Sequence, residues 1–144
     1  MDIAPIDPAF ERVWRRVKGE QPPPPAQGDS LADALAGEVQ RRQTYLNLNF
    51  LREAADCLAR CRTLRALGFV LGGVWPSLPH PPAERYPSRA AAARALWQRE
   101  TDCAALYRQW AEAAETPASR TAFSTCVERC RQTADRLWRR LENT

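Results

Sequence analysis

The chain has 144 residues, a formal net charge of +4, 44% hydrophobic residues and 26% charged residues. This length suits one ordinary domain, and the composition excludes a disordered or fibrous protein. No run reaches the roughly 18 apolar residues of a membrane-spanning helix, so we expect no membrane partner. The first residues lack a basic stretch followed by an apolar one, which predicts a cytoplasmic protein with reduced cysteines.

The N-terminal part of the sequence predicts a short helix and a spacer. Over residues 8–18, apolar side chains recur at the spacing of one helical face. The consecutive prolines of 22–25 then impose an extended segment, because proline cannot continue a helix. We therefore divide the chain into an N-terminal amphipathic helix with its proline-rich spacer, 1–28, and a main domain, 29–144.

The main domain reads as four helices without strands. The first helical stretch begins at Asp29 or Ser30, and the others begin near Phe50, Ser88 and Pro117. Serine and threonine caps, a proline in a first turn and a glycine pair after the second stretch mark their ends. The connections are short within each helix pair, whereas the segment Gly73–Pro87 between helices two and three is long. This pattern predicts an all-α fold, a four-helix bundle with a long crossover between helices two and three.

The most informative feature of the sequence is a near-repeat that carries four of its five cysteines. Segments 57–62 and 126–131 both read Cys-x-x-Arg-Cys-Arg, and residues four apart share one face of a helix. The sequence therefore predicts that two helices each turn a pair of thiols inward, and these are Cys57, Cys61, Cys126 and Cys130.

A second repeat links the other two helices. Glu38 stands seven residues before Tyr45, and Glu100 stands seven residues before Tyr107. Seven residues are two helical turns, so each glutamate and its tyrosine share a face. The main domain thus reads as two similar halves, each a glutamate-bearing helix followed by a cysteine-bearing helix.

Residues 8–142 resemble the ferritin-like superfamily, and most nearly its small rubrerythrin-type domains. The resemblance rests on the order of the helices, on the two similar halves and on the N-terminal segment Phe10-Glu11-Arg12-Val13-Trp14 with the proline spacer that follows it. The resemblance implies a bundle in which helices one and three each supply a glutamate to a di-iron centre. It further implies a Glu-x-x-His pair from each of helices two and four, and a homodimer.

The chain departs from that ligand pattern. Glu38 and Glu100 match the single glutamates, but helix two has Cys57 and Arg60 where the family has Glu-x-x-His. On helix four, the repeat selects Arg129, whereas the rise per residue places the level of Glu100 near 133–135. Arginine stays cationic and cannot bind a metal, so we expect the arginines to pair with the two glutamates instead.

The cysteines leave three interpretations open. They are small core residues, or thiolate ligands of a soft metal such as Zn or Cu, or redox-active thiols whose pKa the neighbouring arginines lower. The candidate metal ligands are Cys57, Cys61, Cys126, Cys130, Glu38, Glu100 and Cys103.

The function predicted from these residues is that of a diverged ferritin-like protein without the usual di-iron ligands. It would bind a soft metal or act as a non-catalytic interaction protein. The alternatives are a thiol-based redox or peroxide-response protein and a rubrerythrin-like protein with an altered Fe site, so the sequence leaves open whether it is an enzyme. Acidic residues interrupt the basic ones, and we therefore do not expect nucleic acid as a partner.

Overall fold

A computed structural model describes residues 30–143 of the chain. Within this range the chain is all-α and has no strand. The four helices are α1 (Leu31–Asn47), α2 (Leu51–Gly72), α3 (Arg89–Ala113) and α4 (Pro117–Glu142). The predicted N-terminal helix and the spacer lie outside the described residues.

The helix boundaries follow local capping chemistry, as the sequence predicted. The side chains of Ser30, Ser88 and Thr116 each accept a hydrogen bond from a backbone N–H in the first turn of α1, α3 and α4. Helix α2 ends at Gly73, whose φ of 75° is left-handed and therefore suits glycine. Asn49, with φ 63°, makes the tight turn between α1 and α2.

The helices pack along three interfaces, α1 with α2, α3 with α4, and α2 with α4. Residues 74–87 form no regular element and run back along α1. Gln40 donates its side-chain amide to the carbonyl of Pro82, and Thr44 accepts from the backbone N–H of Glu84. Two contacts on α1 thus fix the path of this segment toward α3.

The buried side chains form three layers along the helices. Near the α2 C-terminus, one apolar cluster includes Leu35, Leu64 and Trp110, and at the opposite end a second includes Tyr45 and Leu137. Between them, every helix contributes a fully buried polar or charged residue, and these are Glu38, Arg41, Arg60, Glu100 and Thr133. The molecule therefore encloses a charged layer between two apolar ones.

Among the described residues, no helix is both long enough and apolar enough to cross a bilayer.

Candidate functional site: a buried arginine–glutamate cluster

Two glutamates and two tyrosines from α1 and α3 form reciprocal hydrogen bonds at the centre of the fold. The Tyr45 hydroxyl donates to Glu100 Oε2 at 2.6 Å, and the Tyr107 hydroxyl donates to Glu38 Oε2 at 2.7 Å. Each glutamate is thus bound by the tyrosine that lies two turns after the other glutamate. The sequence repeat predicted that the members of each pair share a face, and the structure links the two pairs crosswise.

Arg60 on α2 bridges the two carboxylates. Its Nε lies 2.8 Å from Glu38 Oε2, and its Nη2 lies 3.0 Å from both carboxylate oxygens of Glu100. The remaining donor Nη1 contacts the Thr133 hydroxyl on α4 at 3.1 Å, and Nη2 is 3.2 Å from Cys57 Sγ. One guanidinium therefore connects α2 with the other three helices.

Arg41 supplies the second positive charge of the cluster. It follows Glu38 by one turn of α1, with Nη2 2.9 Å from Glu38 Oε2 and Nε 3.4 Å from Glu100 Oε2. Arg41 is 1% exposed, and the other three charged side chains are completely buried. The cluster thus holds two guanidinium and two carboxylate charges, which cancel formally. Buried ions of this kind persist only when they are paired and hydrogen-bonded.

The contacts within the cluster favour the charged forms of Glu38 and Arg60. Burial by itself raises the pKa of Glu38, but Arg41 and Arg60, with hydrogen bonds from Arg60 and Tyr107, bring that pKa below its ordinary value of 4.5. Burial likewise acts to lower the pKa of Arg60, yet the charges of Glu100 and Glu38 raise it well above the usual range. Both carboxylate and guanidinium forms are therefore favoured in the interior.

A polar path leads from the cluster toward solvent. The Thr133 hydroxyl is 2.8 Å from Asp56 Oδ2, and Asp56 in turn pairs with Arg136, which is one-third exposed. Thr133 is a branch point, since its hydroxyl also lies 2.8 Å from the backbone carbonyl of Arg129.

The structure decides between the two alignments of α4. Thr133, the residue selected by the helical rise, lies at the level of Glu100 and contacts Arg60. Arg129, which the sequence repeat selects, is only half-buried. Its contact with the cluster is through its backbone carbonyl, which accepts a hydrogen bond from the Thr133 hydroxyl. The repeat therefore does not identify the residue of α4 that contacts Arg60, because Thr133 occupies that place, one helical turn after Arg129.

The structure also contains cluster members that the sequence reasoning missed. Arg41 was not selected, although its position three residues after Glu38 on the same helical face is a readable signal. Asp56 gives no comparable signal, because its partners Thr133 and Arg136 lie on another helix.

All five cysteines are buried and carry free thiols. Cys57 belongs to the apolar cluster that contains Tyr45, and the other four belong to the cluster around Leu35 and Trp110. The described cysteines, including Cys103, therefore line the interior, as the packing interpretation requires, and none forms a disulfide.

Neighbouring arginines act to lower the thiol pKa, as expected, but burial outweighs their effect. Burial raises the pKa of Cys61 and of Cys103 to about 12, although nearby arginines act in the opposite direction. Burial raises the pKa of Cys57, Cys126 and Cys130 above the usual range as well. Desolvation is the largest influence on each thiol pKa, and the negative charge of Glu38 adds to it, so together they outweigh the arginine charges.

The residues of the cluster do not fit a di-iron centre. Guanidinium groups already bind Glu38 Oε2 and both carboxylate oxygens of Glu100, and their positive charge repels an incoming cation. Within residues 30–143, no group of three or more His, Cys, Asp or Glu side chains is arranged to hold a metal ion. The only histidine, His80, is exposed in the segment between α2 and α3.

No protein-family model, curated protein or solved structure matched the chain.

Proposed function

We propose that the chain is a ferritin-like four-helix bundle in which an arginine–glutamate cluster takes the place of the di-iron centre. In this proposal the protein acts by binding a partner or ligand and catalyses no metal-dependent reaction. The observation that carries it is the position of Arg60, whose guanidinium bridges Glu38 and Glu100. That is where the family resemblance would put bridging metal ions.

The path of the chain supports the bundle. Helices α1 and α2 pack as one hairpin, α3 and α4 as another, and 74–87 runs along α1 between them. Ferritin-like bundles have this connectivity, with one long crossover between two hairpins. The charged layer halfway along the helices also matches the level at which such bundles carry their metal ligands.

The remaining interpretations have weaker support. A soft-metal site needs deprotonated thiols that face one another, and burial raises the pKa of every cysteine. A redox function needs an accessible thiolate, which the same burial opposes. We therefore favour the packing role for the cysteines.

Metal analysis with an oxidation assay tests the proposal. Full-length protein purified without chelators should contain iron, zinc and copper at well below one ion per chain. In the presence of the native protein, O₂ should oxidise added Fe²⁺ no faster than in the presence of the variant Glu38→Gln/Glu100→Gln, which lacks both carboxylates that could bind iron.

Either of two results would contradict the proposal. One is a stoichiometric metal that resists dialysis, and the other is Fe²⁺ oxidation that the double variant abolishes. A matched control, Glu112→Gln/Glu128→Gln, removes two exposed carboxylates and should leave both measurements unchanged. Light scattering on the same sample measures whether the chain forms the homodimer that the resemblance implies.

A further inference from the structure

A second polar site lies at the end of the molecule where α2 and α3 begin and α4 ends, and its Arg136 is connected through Asp56 and Thr133 to the charged cluster. It is an open cavity of about 440 Å³, a size typical of small-molecule sites. Five arginines and one glutamate are the charged residues that line it. The arginines are Arg52, Arg89, Arg136, Arg139 and Arg140.

Part of this arginine set is fixed by contacts within the protein. Arg140 binds both carboxylate oxygens of the buried Glu53, at 2.5 and 3.0 Å, and lies 4.0 Å from the centre of the Phe50 ring. Arg89 lies 4.8 Å from the same ring and donates to the carbonyl of Leu48. Side chains held in this way lose little conformational entropy when they bind a ligand.

The cavity carries an excess of positive charge. Glu53 neutralises Arg140, and Asp56, also on α2, neutralises Arg136. Within residues 30–143, the guanidinium groups of Arg52, Arg89 and Arg139 have no carboxylate partner. Three unneutralised guanidinium groups in one concave site are unusual, since surface charges of one sign are normally interspersed with the other.

The start of α2 adds to this potential. Phe50 occupies the N-cap position of α2 and has no side chain that could accept a hydrogen bond from the first turn. The free N–H groups and the helix dipole therefore leave a partial positive charge beside Arg52 and Glu53. This contribution supports the arginines and would not define a site without them.

We propose that this cavity binds a small, multiply charged phosphate anion, such as a polyphosphate or the polyphosphate group of a larger metabolite. Planar guanidinium forks match phosphate oxygens, and three arginines without a carboxylate partner fit a ligand with about three negative charges. The cavity would recognise the negative charge of its ligand rather than an aromatic ring, because Arg89 and Arg140 already lie against Phe50, the ring on which a ligand would stack. This inference extends the proposed function by naming the chemical class of a bound ligand.

Calorimetric titration of the full chain with inorganic tripolyphosphate, at low ionic strength in a phosphate-free buffer, tests the assignment. We expect one saturable site per chain. The variant Arg52→Gln/Arg139→Gln should bind at least about tenfold more weakly, since each lost charged hydrogen bond costs about 1.5–3 kcal/mol and tenfold corresponds to about 1.4 kcal/mol. Both side chains are exposed, so the fold should persist.

The matched control Arg62→Gln/Arg108→Gln removes the same charge from exposed positions outside the cavity and should retain binding within about twofold. Citrate, a nucleoside triphosphate and a short single-stranded oligonucleotide provide the comparisons. Binding of the triphosphate in parallel with tripolyphosphate, and weaker binding of citrate, supports phosphate recognition.

The proposal is overturned by absence of saturable tripolyphosphate binding, by equal weakening in both double variants, or by tighter binding of citrate or of the oligonucleotide. The metal analysis above is independent of these results. If the protein contains no metal and does not bind tripolyphosphate, only the phosphate site is refuted. If it contains a stoichiometric metal and also binds tripolyphosphate, only the proposed function is refuted.

Discussion

Tyr45 on α1 and Glu100 on α3 are joined by a hydrogen bond of 2.6 Å, although 55 residues separate them in the sequence. The same relationship recurs in reverse between Tyr107 on α3 and Glu38 on α1, at 2.7 Å. This reciprocity links the two hairpins through their charged layer. Because the two hydrogen bonds are equivalent, the effect of removing one on the free energy of unfolding can be compared with the effect of removing the other.

We predict that Tyr45→Phe and Tyr107→Phe each lower the free energy of unfolding by about 1.5–3 kcal/mol, as expected for a buried hydrogen bond to a charged group. Urea denaturation measures the change. Tyr86→Phe is the matched control, because Tyr86 also donates to a carboxylate, Glu84, but is only half-buried. If Tyr86→Phe lowers the free energy of unfolding by as much, burial does not strengthen the hydrogen bonds that Tyr45 and Tyr107 make to the glutamates.

Arg60→Met should destabilise the protein by about 3–5 kcal/mol, because it leaves buried carboxylate charge without its bridging partner. Adding Glu38→Gln to this variant should cost much less than Glu38→Gln costs in the native protein, since the uncompensated charge is then removed. A double-mutant cycle by urea denaturation gives the coupling energy.

The control cycle for this coupling uses Arg99→Met and Glu84→Gln, an ion pair whose side chains are both 28% exposed. Its coupling energy should stay within about 1 kcal/mol, as is usual for solvated pairs. Additive effects of the Arg60 and Glu38 substitutions would contradict the bridging role of the guanidinium.

Acidification should destabilise the protein through Glu38. Its pKa in the folded protein lies below 4.5, because Arg41 and Arg60 outweigh the effect of burial. The stabilisation is therefore fully present above the unfolded pKa near 4.5 and is lost as the pH falls through the lower, folded value. Chemical denaturation between pH 6 and pH 2 should show this loss, and it should be smaller in Glu38→Gln than in the native protein.

Alkaline conditions should destabilise the protein through its thiols. Burial raises the pKa of Cys61 and of Cys103 from 9.0 to about 12. The unfolded state therefore loses these protons first, so their stabilisation is complete below pH 9.0 and is lost between that value and about 12. Urea midpoints measured from pH 8 upward should fall less steeply in Cys61→Ala/Cys103→Ala. An unchanged slope would show that neither thiol is titrated from the interior.

The five thiols should be unreactive in the native state. At pH 8 we expect an aromatic disulfide reagent to label none of them rapidly, because all five are buried and burial raises their pKa. All five should react at once in denaturant, which serves as the internal control. One thiol that reacts within seconds in the native protein would instead favour the redox alternative.

Much of the fold could be predicted from the chain alone. Ser30, Ser88 and Thr116 cap the helices as the sequence indicated, and Gly73 ends α2, because capping depends on neighbours within one turn. The sequence also offered a signal for the burial of Glu38, which falls on an otherwise apolar face with Leu31 and Leu35, whereas charged neighbours obscured the same signal at Glu100.

The sequence by itself determined the four helices and their ends, since these depend on side chains within a few turns of one another. Only the tertiary structure decided that Arg41 joins Arg60 in the cluster, and that Thr133 rather than Arg129 completes it on α4. It also decided that burial, not adjacent arginine, controls the thiol pKa. These outcomes depend on how the four helices pack against one another and on how completely they exclude water, and neither property is encoded within a single helix.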